Sequence, residues 1–101
     1  MKTKDQLIQL GIDGFKADEI MLLQDKMMEQ AVKFQFKKKD NSIRDAVGTL
    51  CRSLMIQGDG TMWEPKGEAK PEPASIVRFF DCENGAWRSF TCTDFIKLAE
   101  V

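Results

Sequence analysis

The residues best suited to chemistry in this chain are cations. Lys37, Lys38 and Lys39 run together and Arg44 follows shortly after. Cationic side chains on a projecting ribbon can neutralise phosphates and release their counterions. The same cluster also fits a solvated edge hairpin, where lysines discourage edge-to-edge pairing. Arg88 is a further candidate, either as a bidentate fork on an anionic ligand or paired with Asp81 on a neighbouring strand. The pair is the favoured expectation. Trp63 and Trp87, with Phe79 and Phe80, could offer stacking surfaces for bases, although in so small a chain such rings are expected chiefly in the core.

Other chemistries find little support in the residue types. There is no His, which removes most zinc sites and His-based triads. Cys51, Cys82 and Cys92 form an odd set without C-x-x-C spacing, arguing against a disulfide framework or a thiolate metal site. Arg52 could favour a Cys51 thiolate, but no base accompanies it, so an inert thiol is expected. No nucleophile–base pair, metal-ligand cluster or phosphate-cradling glycine motif is visible. The expectation is a protein that is not an enzyme, with no catalytic residue, metal or cofactor.

The chain that must position these groups has 101 residues, 43% apolar and 31% charged, enough for one small globular domain. It contains no apolar run long enough for a membrane span or a signal segment; a cytoplasmic location and no membrane partner are expected. Its net charge of −1 divides unevenly. Residues 1–30 carry four Lys against six acids, whereas residues 31–54 carry six cations against two. The basic character is concentrated in one predicted hairpin.

Thr3 and Gln6 fit a capping box, and Gly11 supplies a left-handed C′ residue. They predict a short helix over about Lys4 to Leu10. A second helix is expected from Lys16 or Asp18 to Gln30, with Asp18 and Glu19 near its positive end. Ile20, Leu23, Met27 and Ala31 give it an apolar stripe, widened by Met21 and Met28. This Met-rich stripe could serve as an adaptable partner groove; packing over an open end of the barrel is preferred.

After Ala31 the period changes to alternation: Val32, Phe34 and Phe36 against Lys33, Gln35 and Lys37. A hairpin follows, returning through Ile43 to Leu50. A two-residue loop at Asp40-Asn41 sets Phe34 opposite Val47, and a three-residue loop from Lys39 to Asn41 sets it opposite Ala46. Gly48 suggests a bend or bulge. Residues of about 51–75 are turn-rich and form a long loop that Trp63 is expected to anchor. Asn84-Gly85 then predicts a tight hairpin between Ile76–Asp81 and Ala86–Cys92, pairing Asp81 with Arg88 and Phe79 with Phe90. Phe95, Ile96 and Leu98 are left for a final strand or helical turn.

Two stretches resemble a known family: F-x-F-K-K-K-D-N-S-I-R-x-A-x-G-T-L at residues 34–50 and R-F-F-D-x-E-N-G-x-W-R-S-F at residues 78–90. They are similar to small uncharacterised phage and bacterial proteins of SH3-like β-barrel fold, distantly related to the WYL domain. The likeness covers residues 32 to about 98. Trp87-Arg88-Ser89-Phe90 with Phe95-Ile96 resembles the last strand of WYL domains, so Arg88 and Phe90 match its Arg and Phe positions. The W-Y-L tripeptide is missing, since the chain has no Tyr.

The fold expected is α+β: an amino-terminal helical segment, residues 1–31, packed on an SH3-like antiparallel barrel of about five strands, residues 32–101, as one compact unit. The function expected is binding. A regulatory module would recognise nucleic acid or a nucleotide-like anion through the Lys37 to Arg44 hairpin and Arg88. The alternative is a protein-interaction module, phage- or mobile-element-associated, that uses the Met-rich helix or the exposed edge beside the long loop.

Overall fold

The computed structural model describes residues 2–65, 67 and 71–99. Lys66, Glu68 and Lys70 of the long loop, and the last two residues, lie outside them. Two helices, α1 (Lys4–Gln9) and α2 (Gly14–Met27), precede five strands: β1 (Val32–Lys37), β2 (Ile43–Thr49), β3 (Ile76–Asp81), β4 (Ala86–Thr91) and β5 (Phe95–Leu98). The strands form one antiparallel sheet in the order β4-β3-β2-β1-β5. This is the α+β, SH3-like arrangement, with the sheet left unclosed between β4 and β5.

Each helix begins at a side-chain cap. Thr3 and Gln6 make the reciprocal capping box, with Gly11 at φ 88° beyond the helix end. α2 starts earlier than the apolar period predicts, because Asp13 caps it by accepting from the Lys16 amide at 2.9 Å. Asp18 therefore falls beyond the first turn, where its carboxylate meets Lys4 at 3.0 Å. The helix also ends sooner, at Met27, so Ala31 is exposed and Met28 is 51% exposed. β2 fastens that end: the Leu50 amide and Thr49 hydroxyl both donate to the Met27 carbonyl, at 2.8 and 3.2 Å.

Ile20, Leu23 and Met27 are fully buried against the inner sheet face, with Leu7, Ile12 and Ala17 beside them. Phe34, Phe36, Phe79, Phe90 and Phe95 complete this core. Phe34 meets Phe79 edge-on at 5.1 Å, and Phe36 stacks on Phe90 at the same separation. Burying one such ring contributes about 1.5–3 kcal/mol, so the aromatic cluster is the main apolar support of the sheet. Gly48 marks a close approach: a Cβ there would lie 2.6 Å from the Phe79 ring. The sheet's register shift lies elsewhere, between Gln35 and Phe36 opposite β5.

The first hairpin adopts the three-residue loop, with Phe34 opposite Ala46. Asn41 takes φ 71°, and Asp40 accepts from both the amide and the hydroxyl of Ser42. The second hairpin departs from the Asn84-Gly85 expectation by two residues: Asp81 pairs with Ala86, Phe79 with Arg88 and Val77 with Phe90. Asp81 is the cause. Its carboxylate accepts from the amides of Glu83 and Asn84 and from the Asn84 side chain, closing the turn from its first residue. A two-residue shift preserves which face each side chain takes. It does separate Arg88 from Asp81.

The 51–75 loop carries one helical turn, Arg52–Leu54, and a bridge between Ile56 and Met62. Trp63 anchors it as expected: its amide donates to the Met55 carbonyl at 2.9 Å and its ring meets Trp87 edge-on at 5.2 Å. Trp87 in turn rests on buried Phe80, giving the outer sheet face an aromatic cluster of its own.

Candidate anion-binding cleft

The tip of the β1-β2 hairpin leans over β4 and encloses a cleft of about 340 Å³. Lys37, Lys38 and Lys39 line one side, and Arg88 with Ser89, Phe90 and Thr91 the other. Phe36 and Phe90, stacked at 5.1 Å, are the apolar residues of its lining. The alternation of β1 explains part of this: Phe36 turns inward, while Lys37 and the loop that follows stay exposed.

Arg44 also borders the cleft, opposite Phe36 in the strand register, but its charge is engaged. Its guanidinium donates to the carboxylate of Asp81, which is 0% exposed. Burial pushes the Asp81 carboxyl up, yet the hydrogen bonds from Asn84, Arg44 and the Glu83 amide outweigh it and hold the pKa below its ordinary value. Two more carboxylates, Asp40 and Asp94, lie on the rim. The Ser42 hydroxyl and amide lower the Asp40 pKa, which keeps it ionised. Five cations therefore face two rim carboxylates, with Asp81 beneath Arg44, and the balance is positive. Among the described residues, Lys37, Lys38, Lys39 and Arg88 have no carboxylate within ion-pair distance.

The structure thus brings Lys37, Lys38, Lys39, Arg44 and Arg88 to one place and sets Trp63 and Trp87 apart on the outer face. Arg88 is not the partner of Asp81; Arg44 is, because the two-residue shift in the second hairpin moves Arg88 along β4. Phe79 and Phe80 are buried and offer no stacking surface, while Trp87 remains 36% exposed. The Met stripe is divided, with Met27 in the core and Met28 in solvent.

The sequence reading missed the cleft's interior: the Phe36–Phe90 stack, and Asp81 as an interior counter-charge. The expected pairing of Phe79 with Phe90 set the two rings on one face, and the two-residue shift preserves that. The Arg44–Asp81 contact depends on where β2 meets β3, at Gly48 opposite Asp81, and no local signal reports that.

A family model described as WYL_2, Sm-like SH3 beta-barrel fold, matches residues 20–96. The chain belongs to this family. The match begins inside α2 rather than at β1, so the WYL_2 unit includes the helix half that carries Leu23 and Met27 into the core. No curated protein and no solved structure matches the chain. The basic cleft lies wholly within the matched segment of this WYL_2 domain.

None of the three thiols lines the cleft, although Cys92 follows directly after the cleft-lining Thr91. Cys92 is buried with its Sγ near the Ala74 carbonyl. Burial, then the charges of Asp81 and Glu83, raise the Cys82 pKa, and burial raises that of Cys92. Among the described residues no group of three metal-ligating side chains occurs, and no helix is long and apolar enough to cross a membrane.

Proposed function

We propose that this WYL_2 domain is a non-enzymatic, cytoplasmic binding module whose cleft takes the phosphates of a nucleic acid or a nucleotide-like anion. The observation that carries this reading is convergence. Cations distant in sequence, from the Lys37–Lys39 loop and from Arg88 on β4, line one concave site beside an aromatic stack. Concavity concentrates their field where a solvated lysine run would disperse it. Membership of an SH3-like binding fold supports a binding role in general, and fold alone selects no ligand.

The test is an equilibrium titration against mixed-sequence single- and double-stranded DNA and RNA, at low and at physiological salt. Binding with a steep salt dependence, lost on reversing the charges of Lys37, Lys38 and Lys39, is the expected result. No binding at low salt, or binding indifferent to those reversals, defeats the reading. A protein partner, phage- or mobile-element-borne, is the second reading, favoured by the exposed Trp87 beside Trp63.

A further inference from the structure

We infer that the open edge of β4 accepts an extended acidic segment of another protein as an added strand. The inference goes beyond the nucleic-acid reading and stands without it.

β4 closes one side of the sheet order, and β5 turns away to pair with β1. The Cys92 amide donates to the Ser75 carbonyl, one step past the β3-β4 register. Bonded and non-bonded pairs alternate along an antiparallel ladder. With Ser75–Cys92 a bonded pair, Val77–Phe90 and Phe79–Arg88 are bonded too. Phe80–Trp87 and Arg78–Ser89 are not, so Trp87 and Ser89 direct their amide and carbonyl groups to the open side. Among the described residues no backbone group bonds to them there. Trp87, Arg88 and Ser89 are all exposed. This edge has outward main-chain groups of the kind that pairing can extend, and its charged residue, Arg88, bars a cationic strand while admitting an acidic one.

The chemistry of the flanks selects the occupant. Side chains of an added strand alternate between the two sheet faces. On the outer face they meet Trp87 and Trp63; on the other they meet Arg88, with Lys37–Lys39 across the cleft. The fitting sequence alternates apolar with acidic residues. A second copy of this chain fits poorly at either of its edge strands, since antiparallel β4–β4 pairing centred on Arg88 opposes like charges and β5 brings the exposed Lys97 rather than an acid.

The probe is a synthetic peptide alternating Val and Glu over about six residues, the usual strand length. Binding is read by the fluorescence of the two Trp and by hydrogen exchange of the Trp87 and Ser89 amides. The expected result is saturable binding that protects both amides. Ser89→Pro removes an outward N–H and leaves the β3 ladder intact, so it should weaken binding about tenfold or more, the scale of one lost hydrogen bond plus a clash. Ser89→Ala should bind as the parent does. If Ser89→Pro fails to fold, the parent protein is tested with a peptide N-methylated on the edge-facing amides, which should not bind. Equal binding by Ser89→Pro or by the methylated peptide overturns the proposal. So does equal binding of a Val–Lys peptide, no binding at all, or protection that appears with protein concentration alone.

Discussion

Arg44 of β2 and Asp81 at the end of β3, separated by 37 residues in sequence, form an ion pair whose carboxylate is fully buried. The pair spans the two hairpins just where β2 and β3 part company: their register holds only Gly48–Asp81 and Thr49–Phe80. Asp81 simultaneously orders the β3-β4 turn through Glu83 and Asn84. One side chain thereby fixes both the turn and the position of a cleft-lining arginine.

Acid should loosen this connection. The folded Asp81 pKa lies below its ordinary value, so the carboxylate's contribution is complete above the unfolded value of about 4 and is lost as pH falls through the lower, folded value. Asp81→Asn should cost about 2–4 kcal/mol at neutral pH, because it leaves Arg44 and the turn amides without their charged acceptor. Urea unfolding across pH should show the gap between parent and variant narrowing in acid. A constant gap would place the stabilisation elsewhere.

Two glycines should respond differently to alanine. At Gly48 the added Cβ meets the Phe79 ring, 2.6 Å away, an overpacking worth about 1–3 kcal/mol. At Gly85, φ is 65° and the Cβ falls 2.4 Å from the backbone nitrogen of Gly58. The left-handed conformation alone costs about 1–2 kcal/mol, and backbone cannot yield as a side chain does. Gly85→Ala should therefore lift the 57–58 loop and change Trp63 fluorescence in the folded protein. Gly48→Ala should lower the unfolding midpoint while leaving that signal in place.

Local patterns carried most of the fold. The alternation of Val32, Phe34 and Phe36 set the buried face, and Thr3 with Gln6 set the first cap. Where the reading slipped, a side chain had overridden a stronger statistical signal. Asp13 began α2 before its apolar period opens, and Asp81 claimed the turn from Asn84-Gly85. The basic half of the cleft was legible as a charge run in Lys37–Lys39. Its concavity was not, because that depends on β4 lying beneath the first hairpin, a relation between elements some 50 residues apart.

The three thiols should separate in reactivity. Cys92 is buried and its pKa is raised, and that of Cys82 is raised by burial and by its acidic neighbours. The thiolate is the reactive form, so a thiol probe at neutral pH should modify Cys51 first and Cys92 last. Mass spectrometry of the time course gives the order. Rapid labelling of Cys92 would mean that the contact with Ala74 opens readily.

Charge removal in the cleft should distinguish ligand contact from structural support. Each cation that neutralises a phosphate contributes about 0.7–0.9 to the slope of log affinity against log salt. Changing Lys37, Lys38 and Lys39 together to Gln should lower that slope by about 2–3 if all three touch phosphates. Their exposure predicts little change in unfolding. Arg88→Gln should lower the slope by about one such contribution, again without loss of stability. Arg44→Gln should behave in the opposite manner: with its guanidinium committed to Asp81, the main effect is on unfolding, with a smaller effect on the salt slope. If Arg44→Gln instead changed the slope as much as Arg88→Gln and spared stability, the ligand would be taking Arg44 away from Asp81.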